Sequence, residues 1–153
     1  MAGAMTSGEA RQVVVVGVDG SAASVAALGW AARYAAAVGA TVRAVLAWHY
    51  PTAAGQPPVG IAPGQVSAEV EEHMRSDLAD AVTKAFPDPS AARVETRIAY
   101  GHPAEVLIEE SRNANLLVVG HRGHGAFTGM LVGSVSIHCV THASCPVVVV
   151  RGS

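Results

Sequence analysis

The feature that most narrows the fold of this chain is a set of short, unbroken apolar runs rich in β-branched residues. "QVVVVGVD" (Gln12 to Asp19), "NLLVVG" (115–120) and "PVVVVR" (Pro146 to Arg151) place apolar residues at consecutive positions. A strand with one face in water alternates between apolar and polar residues. A strand that is apolar at every position is covered on both faces, as in a parallel sheet. "TVRAVLAW" (Thr41 to Trp48) and the alternating "ARVETRIAY" (Ala92 to Tyr100) supply two further strands.

The stretches between these runs read as helices. "GSAAS" follows the first run, and Ser21 or Ser24 can cap a helix that continues through Val38 and stops at Gly39. From Ser67 to Phe86, residues Val70, Met74, Leu78, Ala81, Val82 and Ala85 fall on one stripe, glutamates sit near the start, and Pro87 ends the pattern. Pro103 suits the first turn of a helix reaching about Asn113. Ser134 to His142 make a last short helix. The order β-α-β-α-β-α-β-loop-α-β predicts an α/β fold, a doubly wound parallel sheet with helices on both faces.

The 153 residues suit one domain over 11–153, with residues 1–10 expected to be disordered or vector-derived. Residues 49–66 contain four prolines and three glycines, which predicts a long mobile loop. Half of the residues are hydrophobic, 14% are charged, and mean hydropathy is +0.33. That implies a well-filled core or an apolar surface buried in an oligomer. A net charge of −2 argues against a nucleic-acid partner. No window reaches the roughly 18 apolar residues of a membrane span, and the start lacks a secretory pattern. A cytoplasmic location is expected, with Cys139 and Cys145 as free thiols.

In doubly wound sheets, ligands bind beyond the carboxyl ends of the strands, where the strand order reverses. That edge collects Asp19, Trp48, Gly101 and the loop "VVGHRGHGAFTGMLVGSVS" (Val118 to Ser136). Gly120 ends a strand, where a missing side chain lets the backbone turn and a ligand approach. Gly123 can take a positive φ. Gly133 and Ser134 open a helix whose free N–H groups and dipole attract an anion, and Ser134 and Ser136 add hydroxyl donors. From the residues alone, a phosphate cradle and an ordinary strand-to-helix connection are both open.

Other chemistries fit less well. His121-Arg122-Gly123-His124 spells the His-x-Gly-His string of nucleotidylyltransferases, but it follows the fourth strand rather than the first, and lysine occurs once, at Lys84. "HCVTHASC" sets His138 and His142 four apart. Cys139 would point about 100° from His138 on a helix, so a closed zinc site with Cys145 is hard to assemble, and no protein metal site is predicted. There is no Walker A string and no G-x-S-x-G elbow.

Gly120-x2-Gly123-x9-Gly133-Ser134 resembles the ATP-binding signature of the universal stress protein family. "VVVVGVDGS" resembles the family's first strand, "ASCPVVVVR" its closing strand, and the similarity runs from about residue 11 to 151. The resemblance implies five parallel strands in the order 3-2-1-4-5 and an adenine nucleotide, ATP, at the strand ends, with Mg²⁺ as its companion ion. It also implies that Asp19 meets the nucleoside and that backbone groups at Trp48 meet adenine, although Trp48 is bulkier than the small aliphatic residue expected there. Val119 and Gly120 would flank the ribose. Gly123, Gly133, Ser134, Val135 and Ser136 would hold phosphates, with Arg122 and His124 as candidate contacts. The same resemblance implies a homodimer whose closing strands, Pro146 to Arg151, meet. A stress-response or signalling protein with little or no hydrolysis is the expected function, since no residue stands out as a base for water. Cyclic AMP binding, a slow Mg²⁺-dependent ATPase and a purely structural dimer are the alternatives.

Overall fold

The computed structural model describes residues 11–49, 67–88, 90, 92–123 and 132–152. Most of the proline-rich stretch and the middle of the glycine loop, His124 included, lie outside these residues.

Nine elements follow in order: β1 (Val13–Gly17), α1 (Ala22–Val38), β2 (Thr41–Trp48), α2 (Ala68–Ala85), β3 (Arg93–Tyr100), α3 (Pro103–Glu110), β4 (Leu116–Gly120), α4 (Ser134–His142) and β5 (Val147–Val150). All strand pairs are parallel, and the sheet order is β3-β2-β1-β4-β5. The alternation of alpha and beta patterns thus produces the doubly wound sheet, and the implied strand order is the observed one.

Local chemistry sets the boundaries. Of the two serines that could cap α1, Ser21 does so, accepting a hydrogen bond from the Ser24 N–H at 3.2 Å. Gly39 ends α1 at φ 74°, a left-handed turn that a side chain would oppose. Ser67 caps α2 through the Val70 N–H. Helix α3 stops at Glu110, earlier than Asn113, with Ser111 as its C-cap, whose hydroxyl donates to the Ile108 carbonyl.

The continuous apolar runs of β1 and β4 are buried on both faces, as their pattern requires, whereas β5, at the edge of the sheet, is only half-buried along its length. Val14, Val16, Val42, Ala44 and Val118 pack beneath α1 and α2, with Leu28, Ala31 and Leu78. Val15, Val45, Leu117 and Val119 pack beneath α3 and α4, with Val106, Leu107 and Cys139. The α2 stripe meets this core over its C-terminal half, through Leu78 and Ala81, while Val70 stays 49% exposed.

β5 closes one edge of the sheet. The Leu117 N–H donates to the Pro146 carbonyl and the His121 N–H to the Val150 carbonyl. Alternate residues of a parallel strand bond to the same neighbour. Pro146, Val148 and Val150 therefore turn their backbone groups towards β4. Val147, Val149 and Arg151 turn theirs outward.

Candidate functional site

Helix α1, which follows β1, covers one face of the sheet; α4, which follows β4, covers the other. β1 and β4 are neighbours, so their connections diverge and leave a crevice at the carboxyl edge. A cavity of about 270 Å³ occupies it. Its walls come from the ends of β1, β2 and β4, the glycine loop, the first turn of α4 and the start of α3.

Asp19 stands on one side. Its carboxylate Oδ1 accepts the Ser21 N–H at 2.9 Å, and its own N–H donates to Ser24 Oγ at 3.3 Å. These bonds fix the turn that carries the carboxylate into the cavity wall. Gly123 lies against the other carboxylate oxygen: a Cβ at that position would collide with Asp19 Oδ2. Gly123 does not take a positive φ. It is small because an acidic side chain lies across it. Gly120 likewise departs from the expectation of open space for a ligand, since a Cβ there would come within 2.7 Å of the Ala23 backbone. The residue lines the cavity, but its bareness lets α1 approach β4.

The opposite side is the start of α4. Gly133 is the N-cap, at φ −74° and ψ 163°, and supplies no side-chain cap. Its N–H donates to the His121 carbonyl, and its own carbonyl accepts the Ile137 N–H. By helix geometry the N–H groups of Ser134, Val135 and Ser136 have no acceptor within α4. They stand at the cavity wall with the positive end of the helix dipole. Ser134 is exposed. Ser136 is buried and donates its hydroxyl to the Gly120 carbonyl, so that hydroxyl holds the helix to β4. Arg122 lines the cavity beside Gly123. His121 is bound into the scaffold, its Nδ1 accepting the Gly152 N–H at 3.4 Å.

Asp19, Val119, Gly120, Arg122, Gly123, Gly133, Ser134, Val135 and Ser136 thus share one cavity. Trp48 is not in its lining. The Trp48 ring packs edge-on against Tyr100, with centroids 4.9 Å apart, and its carbonyl accepts the Gly101 N–H at 2.8 Å. Strand alternation presents Ala47, one residue earlier, to the cavity. Val45, Pro103 and Leu107 complete an apolar end that the sequence reading missed. Residues at odd positions of β2, and the first turn of a helix starting at the carboxyl edge, were the signals that could have found them.

The second His/Cys cluster separates. Cys139 is fully buried under α4, and burial, then the neighbouring Cys145, push its thiol up to about 11. His138 and His142 are exposed on the outside of the helix. Among the described residues there is no group of three or more His, Cys, Asp or Glu placed to hold a metal ion.

Comparison with known proteins shows the family and the fold. The model of the universal stress protein family matches residues 10–151. The chain belongs to that family. A universal stress protein of Mycolicibacterium smegmatis is 37% identical over 146 residues, covering 94% of this chain and 47% of the relative. One from Mycobacterium tuberculosis is 35% identical, covering 92% and 45%. The chain thus spans about half the length of these curated relatives. Among solved structures, a universal stress protein in complex with cAMP superposes with a TM-score of 0.68 at 28% identity, covering 95% of this chain and all of that one. A family member from Archaeoglobus fulgidus shares the fold at 22% identity and a TM-score of 0.68. No described helix is long and apolar enough to cross a membrane.

Proposed function

We propose that this protein binds an adenine nucleotide, ATP, in the β1/β4 cavity and acts by nucleotide-dependent conformation or partner choice, with little or no hydrolysis. The observation that carries the reading is the uncapped start of α4 opposite Asp19. Helix N–H groups suit phosphate oxygens, and a carboxylate suits ribose hydroxyls. Between them, Val45, Ala47, Pro103 and Leu107 offer an apolar end of the right character for a base. Arg122 sits on the phosphate side, where it can pair with charge, and a Mg²⁺ ion would accompany the triphosphate. On the family's known lines, the protein works in the cytoplasm in a stress response, as a homodimer joined through β5. Cyclic AMP is the second reading, favoured by the 28%-identical relative solved in complex with it.

Native mass spectrometry of the purified protein, followed by calorimetry with ATP, AMP and cAMP, tests which nucleotide is held. A Cβ at Gly133 would come within 3.3 Å of the Arg122 backbone. Gly133→Leu should therefore crowd the amide cradle and abolish binding, with circular dichroism as the folding control. Asp19→Ala provides a second variant that leaves the loop intact. Native ATP affinity in folded Gly133→Leu would remove the phosphate-cradle reading.

A further inference from the structure

Helix α4 carries a second chemical feature, away from the cavity. His138 and His142 are four residues apart, so they lie on one side of the helix. Both are exposed, and their rings stack with centroids 4.5 Å apart and planes 28° apart. His142 Nδ1 lies 3.2 Å from the His138 carbonyl oxygen. A carbonyl only accepts, so Nδ1 must carry the proton and donate. In the neutral ring this leaves the Nε2 lone pair outward. A metal-ligating imidazole needs that arrangement: one nitrogen tied to a backbone carbonyl, the other presented.

We propose that His138 and His142 form an open binding site for a divalent transition ion of the class that prefers imidazole, Zn²⁺, Ni²⁺ or Cu²⁺. Two nitrogens each about 2.0–2.1 Å from one ion lie roughly 3 Å apart. The ring centroids are 4.5 Å apart, and turning the exposed His138 ring edge-on, with His142 kept tied to the carbonyl, would bring its nitrogen towards that separation. The position also suits a cation. The pair sits in the last two turns of α4, near the negative end of the helix dipole, and α4 contains no Lys, Arg, Asp or Glu. Water fills the remaining coordination positions. Cys139, between the histidines in sequence, takes no part because it is buried on the sheet side.

The test is calorimetric titration of Ni²⁺ into the full chain after chelator treatment, without nucleotide. One saturable site is expected. Loss of an outer partner of a metal ligand already costs about 10–100-fold in affinity, so His138→Ala and His142→Ala should each weaken binding by at least tenfold. Both side chains are exposed, so the fold should persist; His142→Gln serves if the alanine frays the helix. The histidines His49 and His102 also lie close, with centroids 4.6 Å apart, so His49→Ala is the control and should bind as the wild type does. Absence of saturable Ni²⁺ binding, unchanged affinity in His138→Ala, or loss in His49→Ala instead would overturn the assignment.

Discussion

Alanine at Gly120 and at Gly123 should have opposite effects, one on the fold and one on the ligand. At Gly120 a Cβ would meet Ala23 C, O and Cβ at 2.7, 2.8 and 2.9 Å. Comfortable carbon contacts are about 3.5–4.0 Å, so the end of β4 and the first turn of α1 must part by something near 1 Å. Two of the three atoms are backbone, and no rotamer change relieves them. Overpacking of this kind costs about 1–3 kcal/mol. In a domain of this size each kcal/mol lowers Tm by about 2–4 °C, so Gly120→Ala should melt about 2–12 °C lower. At Gly123 the atom in the way is Asp19 Oδ2, the tip of a rotatable side chain. Gly123→Ala should lower Tm less than Gly120→Ala does, by no more than the Asp19–Ser21 bond contributes, and push the carboxylate off its position. A hydrogen bond involving a charged group contributes about 1.5–3 kcal/mol, so ATP affinity should fall about 10- to 150-fold. Thermal melts and calorimetry on both variants decide this. An unchanged Tm in Gly120→Ala would refute the α1–β4 packing argument. Native ATP affinity in Gly123→Ala would refute a nucleoside role for Asp19.

Three further outcomes follow from the same geometry. Steady-state phosphate release from ATP should fall far below the roughly 1–10³ s⁻¹ of ordinary enzymes; release in that range, abolished by Asp19→Ala, would establish an ATPase. Cys139 should resist thiol reagents in the native protein at neutral pH and label at the rate of unfolding. Its raised pKa favours the protonated thiol in the fold, so this contribution to stability is complete below about 9 and is lost as pH rises towards about 11, measurable by denaturant melts across that window. In sedimentation, the wild type should be a dimer at tens of micromolar, and Val149→Pro should weaken it without loss of fold, because that N–H points out of the sheet. Val148→Pro should instead damage the β4–β5 pairing; a Val149→Pro dimer of native affinity would exclude β5 as the interface.

Much of the architecture was legible because burial writes itself into residue type. Val14, Val15 and Val16 are apolar in sequence and inaccessible in the structure, which only a strand covered on both faces allows. Gly39 marked the end of α1 through a backbone need that no other residue meets so readily. The glycine loop was legible as a place, since it follows β4 and opens α4. The reasons for its individual glycines were not. Gly120 and Gly123 answer to Ala23 and Asp19, each about a hundred residues away in the chain, and nothing local in "GHRGHG" announces those neighbours. Trp48 shows a different limit. The end of β2 could be located to within a residue, but the side chain that faces the cavity changes with every residue, so one step separates Ala47 from Trp48.

The same parity problem governs β5. Four consecutive valines look identical on either face, so the run itself does not say which of its N–H groups face β4 and which face away. The hydrogen bonds to Pro146 and Val150 decide it. They spend the backbone groups of the even-numbered residues on β4 and leave those of Val147, Val149 and Arg151 directed away from it. An antiparallel copy of β5 would have to use that outward set. His121 adds a consequence for the cavity. Its N–H holds Val150, its carbonyl holds Gly133, and its ring accepts from Gly152. The backbone that ends β5 and the amide end of α4 are therefore fastened to one residue, so a displacement of either is felt at the other.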